Sequence, residues 1–142
     1  MPFKVKKIMV PVDGSDHAMR AAEYAAQLAR QLGSEILLIN THRPFPVALG
    51  EPYYQKAITK ILDKANSLLD PYRAMFKANA TPFVDRVLEG TPGEVIPRVA
   101  EIERCDMIVM GSRGHSNLEG LFLGSVTHRV LRSATCPVVV IR

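Results

Sequence analysis

Five short apolar runs alternate with longer amphipathic stretches along the chain, and that rhythm sets the expectation for the fold. Lys7-Ile8-Met9-Val10-Pro11-Val12-Asp13 is the first run, apolar at every position from Ile8 to Val12. A strand exposed on one face would alternate, so a continuous run predicts burial on both faces, as in a central parallel strand. Pro11 has no N–H to give to a sheet and belongs near the strand's end, where pairing stops. Glu35 to Thr41, Thr81 to Leu88, Asp106 to Met110 and Pro137 to Ile141 predict four further strands.

Between these runs the apolar period becomes helical. Gly14-Ser15-Asp16 offers a turn and an N-cap. Ala18, Ala21, Ala22, Ala25, Ala29 and Leu32 then trace one face of a helix from about His17 to Leu32, stopped by Gly33. A stripe made almost wholly of alanine lets a helix lie close against a sheet. His42 to Pro52, with Pro44, Pro46 and Gly50, reads as a surface loop. A second helix starts near Tyr53, with Ile58, Ile61, Leu62, Ala65, Leu68, Leu69 and Tyr72 on its apolar face, and Pro71 predicts a kink or an end. Thr91-Pro92-Gly93-Glu94 has the form of a capping box that opens a third helix, running to about Arg104 with Pro97 inside it. Ser125 is placed to cap a fourth helix, Val126 to Ala134.

Strands that alternate with helices imply a parallel sheet covered on both faces. Right-handed crossovers leave few topologies, and 3-2-1-4-5 is the natural order for five strands wound in both directions. The expectation is one α/β domain over residues 1–142, a doubly wound, Rossmann-like, five-stranded parallel sheet.

Composition adds exclusions. With 47% apolar and 23% charged residues, the chain is neither a disordered nor a fibrous one. Lys and Arg number 18 against 14 Asp and Glu, a formal charge of +4. Only Lys4, Lys6 and Lys7 cluster, and no aromatics interleave with them, which favours solvated charge over a nucleic-acid arm. Cys105 and Cys136 have neither metal spacing nor a CxxC pattern, so they read as buried thiols in a reducing compartment, with a disulfide at one end of the sheet as the lesser reading. No signal-peptide core or membrane-length apolar run is visible, and the expected location is the cytoplasm, with no membrane partner.

In a sheet of this order, ligands bind beyond the strand ends where the winding reverses, between strands one and four. Strand one ends at Val12-Asp13 and strand four at Met110-Gly111. The stretch after strand four runs Gly111-Ser112-Arg113-Gly114-His115-Ser116-Asn117-Leu118-Glu119-Gly120-Leu121-Phe122-Leu123-Gly124-Ser125. Glycines there let a ligand approach the backbone, and a helix start supplies free N–H groups and the positive end of a dipole. Two remote turns therefore converge on a site suited to phosphate.

From Ile8-Met9-Val10-Pro11-Val12-Asp13-Gly14-Ser15 to Pro137-Val138-Val139-Val140-Ile141 the chain resembles the universal stress protein family, in its nucleotide-binding branch. That branch carries Gly, two residues, Gly, nine residues, Gly, then Ser or Thr; Gly111, Gly114, Gly124 and Ser125 fill every position. The resemblance implies an adenine nucleotide alpha hydrolase-like fold that binds ATP; Mg²⁺ or Mn²⁺ would bridge the phosphates in the alternative of slow hydrolysis. Asp13 would accept from the adenine amino group or a ribose hydroxyl, with Pro11 and Val12 lining that wall. Thr41 would read the adenine edge through its backbone. Met110 and Gly111 would flank the ribose. Gly114, His115 and Ser116, with Asn117 nearby, would approach the phosphates, and Gly124, Ser125, Val126 and Thr127 would close the far side. The resemblance also implies a homodimer. The apolar strand 137–141, at the sheet's edge and unguarded until Arg142, invites the same pairing.

Each residue has a plainer reading beside this one. Asp13 serves equally as a turn former before Gly14, and Arg113 either pairs with a phosphate or faces solvent. His115 is a candidate phosphate donor; His17 and His128 read as surface residues, and His42 as a rim residue. Met107 and Met110 read as packing. No Gly-Lys-[Ser/Thr] of a Walker A site is present, and no base is placed for an attacking water. The sequence favours binding over fast turnover, and the resemblance implies a regulatory ATP-binding module in stress response. A slow ATPase, and a module binding AMP, a cyclic nucleotide or another anion, are the alternatives.

Overall fold

The elements follow in the order β1 (Lys7–Pro11), α1 (Asp16–Leu32), β2 (Glu35–His42), α2 (Tyr53–Ala78), β3 (Phe83–Glu89), α3 (Pro92–Ile102), β4 (Met107–Gly111), α4 (Ser125–Ser133) and β5 (Val138–Ile141). The computed structural model describes residues 3–45, 48, 50–114 and 123–142. The five strands form one sheet in the order β3-β2-β1-β4-β5, and every neighbouring pair is parallel.

Alternate residues of the central strands feed opposite faces, which is why their runs are continuously apolar. Ile8, Val10, Ile36, Leu38 and Val109 meet α1 and α2 on one face. Met9, Leu37, Ile39, Ile108 and Met110 meet α3 and α4 on the other, with Ile96, Ala100 and Val130. The alanine face of α1 is buried from Ala18 to Ala29. Its start is capped by the Ser15 hydroxyl, which accepts from the Ala18 N–H at 3.2 Å, and its end by Gly33 in the left-handed region.

Four local expectations are corrected. Helix α2 runs through Pro71 to Ala78. Pro71 and Ser67, whose carbonyl loses its partner, are both exposed, so water can replace the missing bond. Beyond the proline, Tyr72 and Phe76 are fully buried and anchor the last turns. The capping box at α3 does not close. Thr91 is the N-cap but its side chain makes no cap bond, and the Glu94 carboxylate instead takes the Arg129 guanidinium of α4 at 2.7 Å. Helix α4 is capped by Gly124, not by Ser125, which is its first residue. Gly124 is fixed there by donating its N–H to the Ser112 carbonyl at 2.7 Å. Strand β3 begins two positions late, at Phe83, because Pro82 has no N–H to offer a ladder. Pro11 is the last residue of β1, at the strand end as its chemistry demands. Among the described residues no helix is long and apolar enough to cross a membrane.

Candidate functional site

The chain winds outward in both directions from β1 and β4, and a crevice of about 440 Å³ opens at their C-terminal ends. Its floor comes from Pro11, Val12 and Asp13 after β1, from the end of β2, and from Met110 and Gly111 of β4. One wall is the start of α3, from Gly90 to Pro92 with Ile96. The other is Arg113 and Gly114 with the start of α4, Gly124 to Thr127.

The β1–α1 turn is held from several sides. The Val12 N–H donates to the Ile39 carbonyl at 2.9 Å, and the Asn40 side-chain amide donates to the Val12 carbonyl at 2.9 Å. Asp13 Oδ1 accepts from the Ser15 N–H at 2.9 Å. The Gly14 N–H donates to the Tyr72 hydroxyl of α2 at 3.1 Å. Burial pushes the Tyr72 phenol up to about 12; the Gly14 N–H opposes that shift, and the Asp13 and Asp16 carboxylates add to it.

Packing accounts for the signature glycines before any ligand is considered. A methyl group at position 111 would lie 2.9 Å from the backbone carbonyl carbon of His17, because the first turn of α1 packs against β4 there. At position 114 it would overlap Oδ2 of Asp13. At position 124 it would sit 3.3 Å from the Cα of Arg113. The loop between β4 and α4 is closed at its base by buried Ser112, whose N–H donates to the Ile141 carbonyl at 2.7 Å and whose carbonyl takes the Gly124 N–H. Buried Thr127 donates its hydroxyl to the Gly111 carbonyl at 2.8 Å.

Three helix starts meet the crevice, and those of α1 and α4 differ in charge. That of α1 is occupied by Ser15 and flanked by the carboxylates of Asp13 and Asp16. That of α4 has no side-chain cap and no acidic residue in its first turn, so its first N–H groups and the positive dipole end face the crevice. Arg113 stands on the same side; its Nε is buried and finds no hydrogen-bond partner among the described residues. The crevice is therefore negative at Asp13 and positive toward Arg113 and α4.

The structure brings together Pro11, Val12, Asp13, Thr41, Met110, Gly111, Arg113, Gly114, Gly124, Ser125, Val126 and Thr127 in this one crevice. His115, Ser116 and Asn117 lie outside the described residues. His42 is at the rim as its position suggested, with its Nδ1 2.7 Å from the Arg43 carbonyl oxygen. The sequence reading missed Asn40 and the start of α3. Asn40 was detectable as a polar residue inside the otherwise apolar Ile-Leu-Leu-Ile run. The α3 start follows β3, whose C-terminal end lies on the same side of a parallel sheet. Cys105 and Cys136 are free and lie away from the crevice; burial raises both thiols, Cys105 to about 11. Among the described residues no three His, Cys, Asp or Glu side chains gather to hold a metal ion.

The universal stress protein family model matches residues 4–142. A universal stress protein of Thermus aquaticus, from the QAH/OAS sulfhydrylase 3′ region, is 38% identical over 138 residues, 96% of this chain and 98% of that one. The solved structure of MJ0577, a universal stress protein of Methanocaldococcus jannaschii, matches with a TM-score of 0.85 at 28% identity, over 96% of this chain and 95% of that one. A universal stress protein solved in complex with cAMP shares the fold, with a TM-score of 0.73 at 23% identity over 98% of each chain.

Proposed function

The chain belongs to the universal stress protein family, and from that premise we propose that its crevice binds an adenine nucleotide, ATP foremost, as a regulatory module. The observation that supports this reading is the polarity of the crevice. The Asp13 carboxylate rests against Gly114 on one side, and Arg113 and the open start of α4 stand on the other side of that glycine. Adenosine brings hydrogen-bond donors, from the amino group and the ribose hydroxyls, that suit Asp13. The phosphates then point toward the N–H groups of Ser125 to Thr127 and the Arg113 guanidinium. Pro11, Val12 and Met110 supply apolar wall for the base, the Thr41 backbone its polar edge, and Gly111 a flat approach to the ribose. In this reading His115, Ser116 and Asn117 complete the phosphate end. The relative solved with cAMP supports the ligand class, and it makes AMP and cyclic nucleotides the second reading.

The site works by binding more than by turnover. No lysine stands where a Walker A site needs one to offset phosphate charge, and Mg²⁺ or Mn²⁺ would be held chiefly by the nucleotide's own phosphates. The functional unit in this proposal is a cytoplasmic homodimer joined through β5, whose nucleotide state alters partner binding. The test is mass spectrometry on the denatured purified protein, paired with melting in ATP, AMP and cAMP. A co-purifying adenine nucleotide, or a melting temperature raised most by ATP, is the expected result. No nucleotide and no shift with any of the three overturns the proposal.

A further inference from the structure

Tyr72 does not line the crevice, yet it is attached to the turn that carries Asp13. It sits on α2 with 1% of its surface exposed, and a tyrosine buried that deeply must find a partner for its hydroxyl. The partner is the Gly14 N–H. Gly14 has φ +86°, a left-handed turn that redirects the chain from β1 into α1. Val12, two residues earlier, has both its backbone groups bonded to β2. Asp13 is thus fixed on one side by the sheet and on the other by Tyr72, and its Oδ2 rests directly on Gly114. A carboxylate seated against the facing backbone moves with the turn that carries it, so a shift of that turn changes its place in the crevice.

We infer that Tyr72 is a positioning residue for ligand recognition, its hydroxyl holding the Gly14 turn so that the Asp13 carboxylate stays seated against Gly114. The inference rests on the proposed nucleotide site for its binding consequence and on geometry alone for its structural one. Phenol ionisation does not interfere, because burial and the two nearby carboxylates keep the hydroxyl protonated. Tyr72→Phe keeps the ring that packs beside Leu69 and Phe76 and removes only the hydroxyl.

The experiment is a pair of double-mutant cycles. In the first, ATP affinity is measured calorimetrically for the wild type, Tyr72→Phe, Asp13→Ala and the double variant. Tyr72→Phe weakens ATP about three- to tenfold, the size of one lost hydrogen bond, and has little further effect once Asp13 is alanine. A residue that merely packs would carry its full penalty into the Asp13→Ala background, and that outcome, or an unchanged affinity in Tyr72→Phe, overturns the inference. The second cycle needs no ligand. Gly114→Ala forces a methyl group against Asp13, so it lowers the urea midpoint less in Tyr72→Phe, where the turn can yield, than in the wild type. Equal losses in the two backgrounds overturn the inference. A wild type that binds no adenine nucleotide refutes the proposed function, while the second cycle still decides the role of Tyr72.

Discussion

The carboxylate of Asp13 fills the space that a side chain on Gly114 would need. One residue closes the turn after β1 and the other the turn after β4, so this contact ties together the two strand ends between which the crevice opens. The fold asks room of this glycine and not a special backbone angle, since Gly114 is not among the glycines in the left-handed region.

Gly114→Ala therefore destabilises the protein, by at most about 1–3 kcal/mol, the range for a methyl group forced into a packed core, because the atom that must yield is the tip of a half-exposed side chain. In an Asp13→Ala background most of that cost disappears. Urea denaturation of the four proteins checks it. A Gly114→Ala penalty that persists without the carboxylate would mean that the glycine serves some other constraint.

Gly111 poses a different case, because its neighbour is backbone. A methyl group there meets the carbonyl carbon, the carbonyl oxygen and the Cβ of His17, all within 3.0 Å. Shortening the His17 side chain would not remove that contact. Gly111→Ala is expected to cost at least about 1–3 kcal/mol, and His17→Gly restores only part of the loss. Full recovery in the double variant would contradict the packing of α1 against β4 at this point.

Much of this was legible in the sequence, for reasons that are local. The apolar runs at Ile8 to Val12 and Ile36 to Ile39 could only be buried strands, and the alanine stripe of α1 only a helix lying on them. Topology then followed from alternation, and the crevice from topology. The errors arose where a residue's partner is distant in sequence. Glu94 was read as closing its own helix start, but Arg129 on α4 takes its carboxylate. Pro71 predicts a kink or an end, and the helix does not end there, because Tyr72 and Phe76 bury the turn beyond it. The signature glycines suggested a ligand from their spacing; that Gly111 accommodates His17 and Gly114 accommodates Asp13 depends on contacts that no spacing records.

Alkaline pH should expose the buried tyrosine. The Tyr72 pKa lies near 12 in the folded protein, against about 10 in an unfolded chain. The folded state thus favours the protonated phenol, and its contribution is complete below pH 10. It is lost as the pH rises from 10 to 12, where the unfolded chain ionises first. Cys105, raised to about 11, adds a loss of the same sign that begins lower. Denaturation midpoints from pH 8 to 12 should fall less steeply above pH 10 in Tyr72→Phe than in the wild type, by on the order of 2 kcal/mol at the top of that window. Parallel curves would show that the phenol ionises as it does in water.

Strand β5 offers a specific test of dimer formation. The carbonyl of Pro137 accepts from Ile108 of β4 and that of Ile141 from Ser112 just beyond it, so those of residues 138 and 140, with their N–H groups, point away from β4 along the open edge. Val140→Pro removes an outward donor and leaves the β4–β5 bonds in place. Light scattering is expected to report a dimer for the wild type and a monomer of unchanged helix content for Val140→Pro. A monomeric wild type, or a variant that remains a dimer, would rule out pairing through this edge.

The central claim is that one crevice, negative at Asp13 and positive at the start of α4, holds an adenine nucleotide lengthwise. A crystal structure of the protein grown with ATP tests it most directly. The account predicts the adenosine against Pro11, Val12 and Asp13 and the phosphates against Gly114, Gly124 and Ser125. Adenosine at the α4 end, or a nucleotide bound elsewhere while side chains fill the crevice, would contradict it.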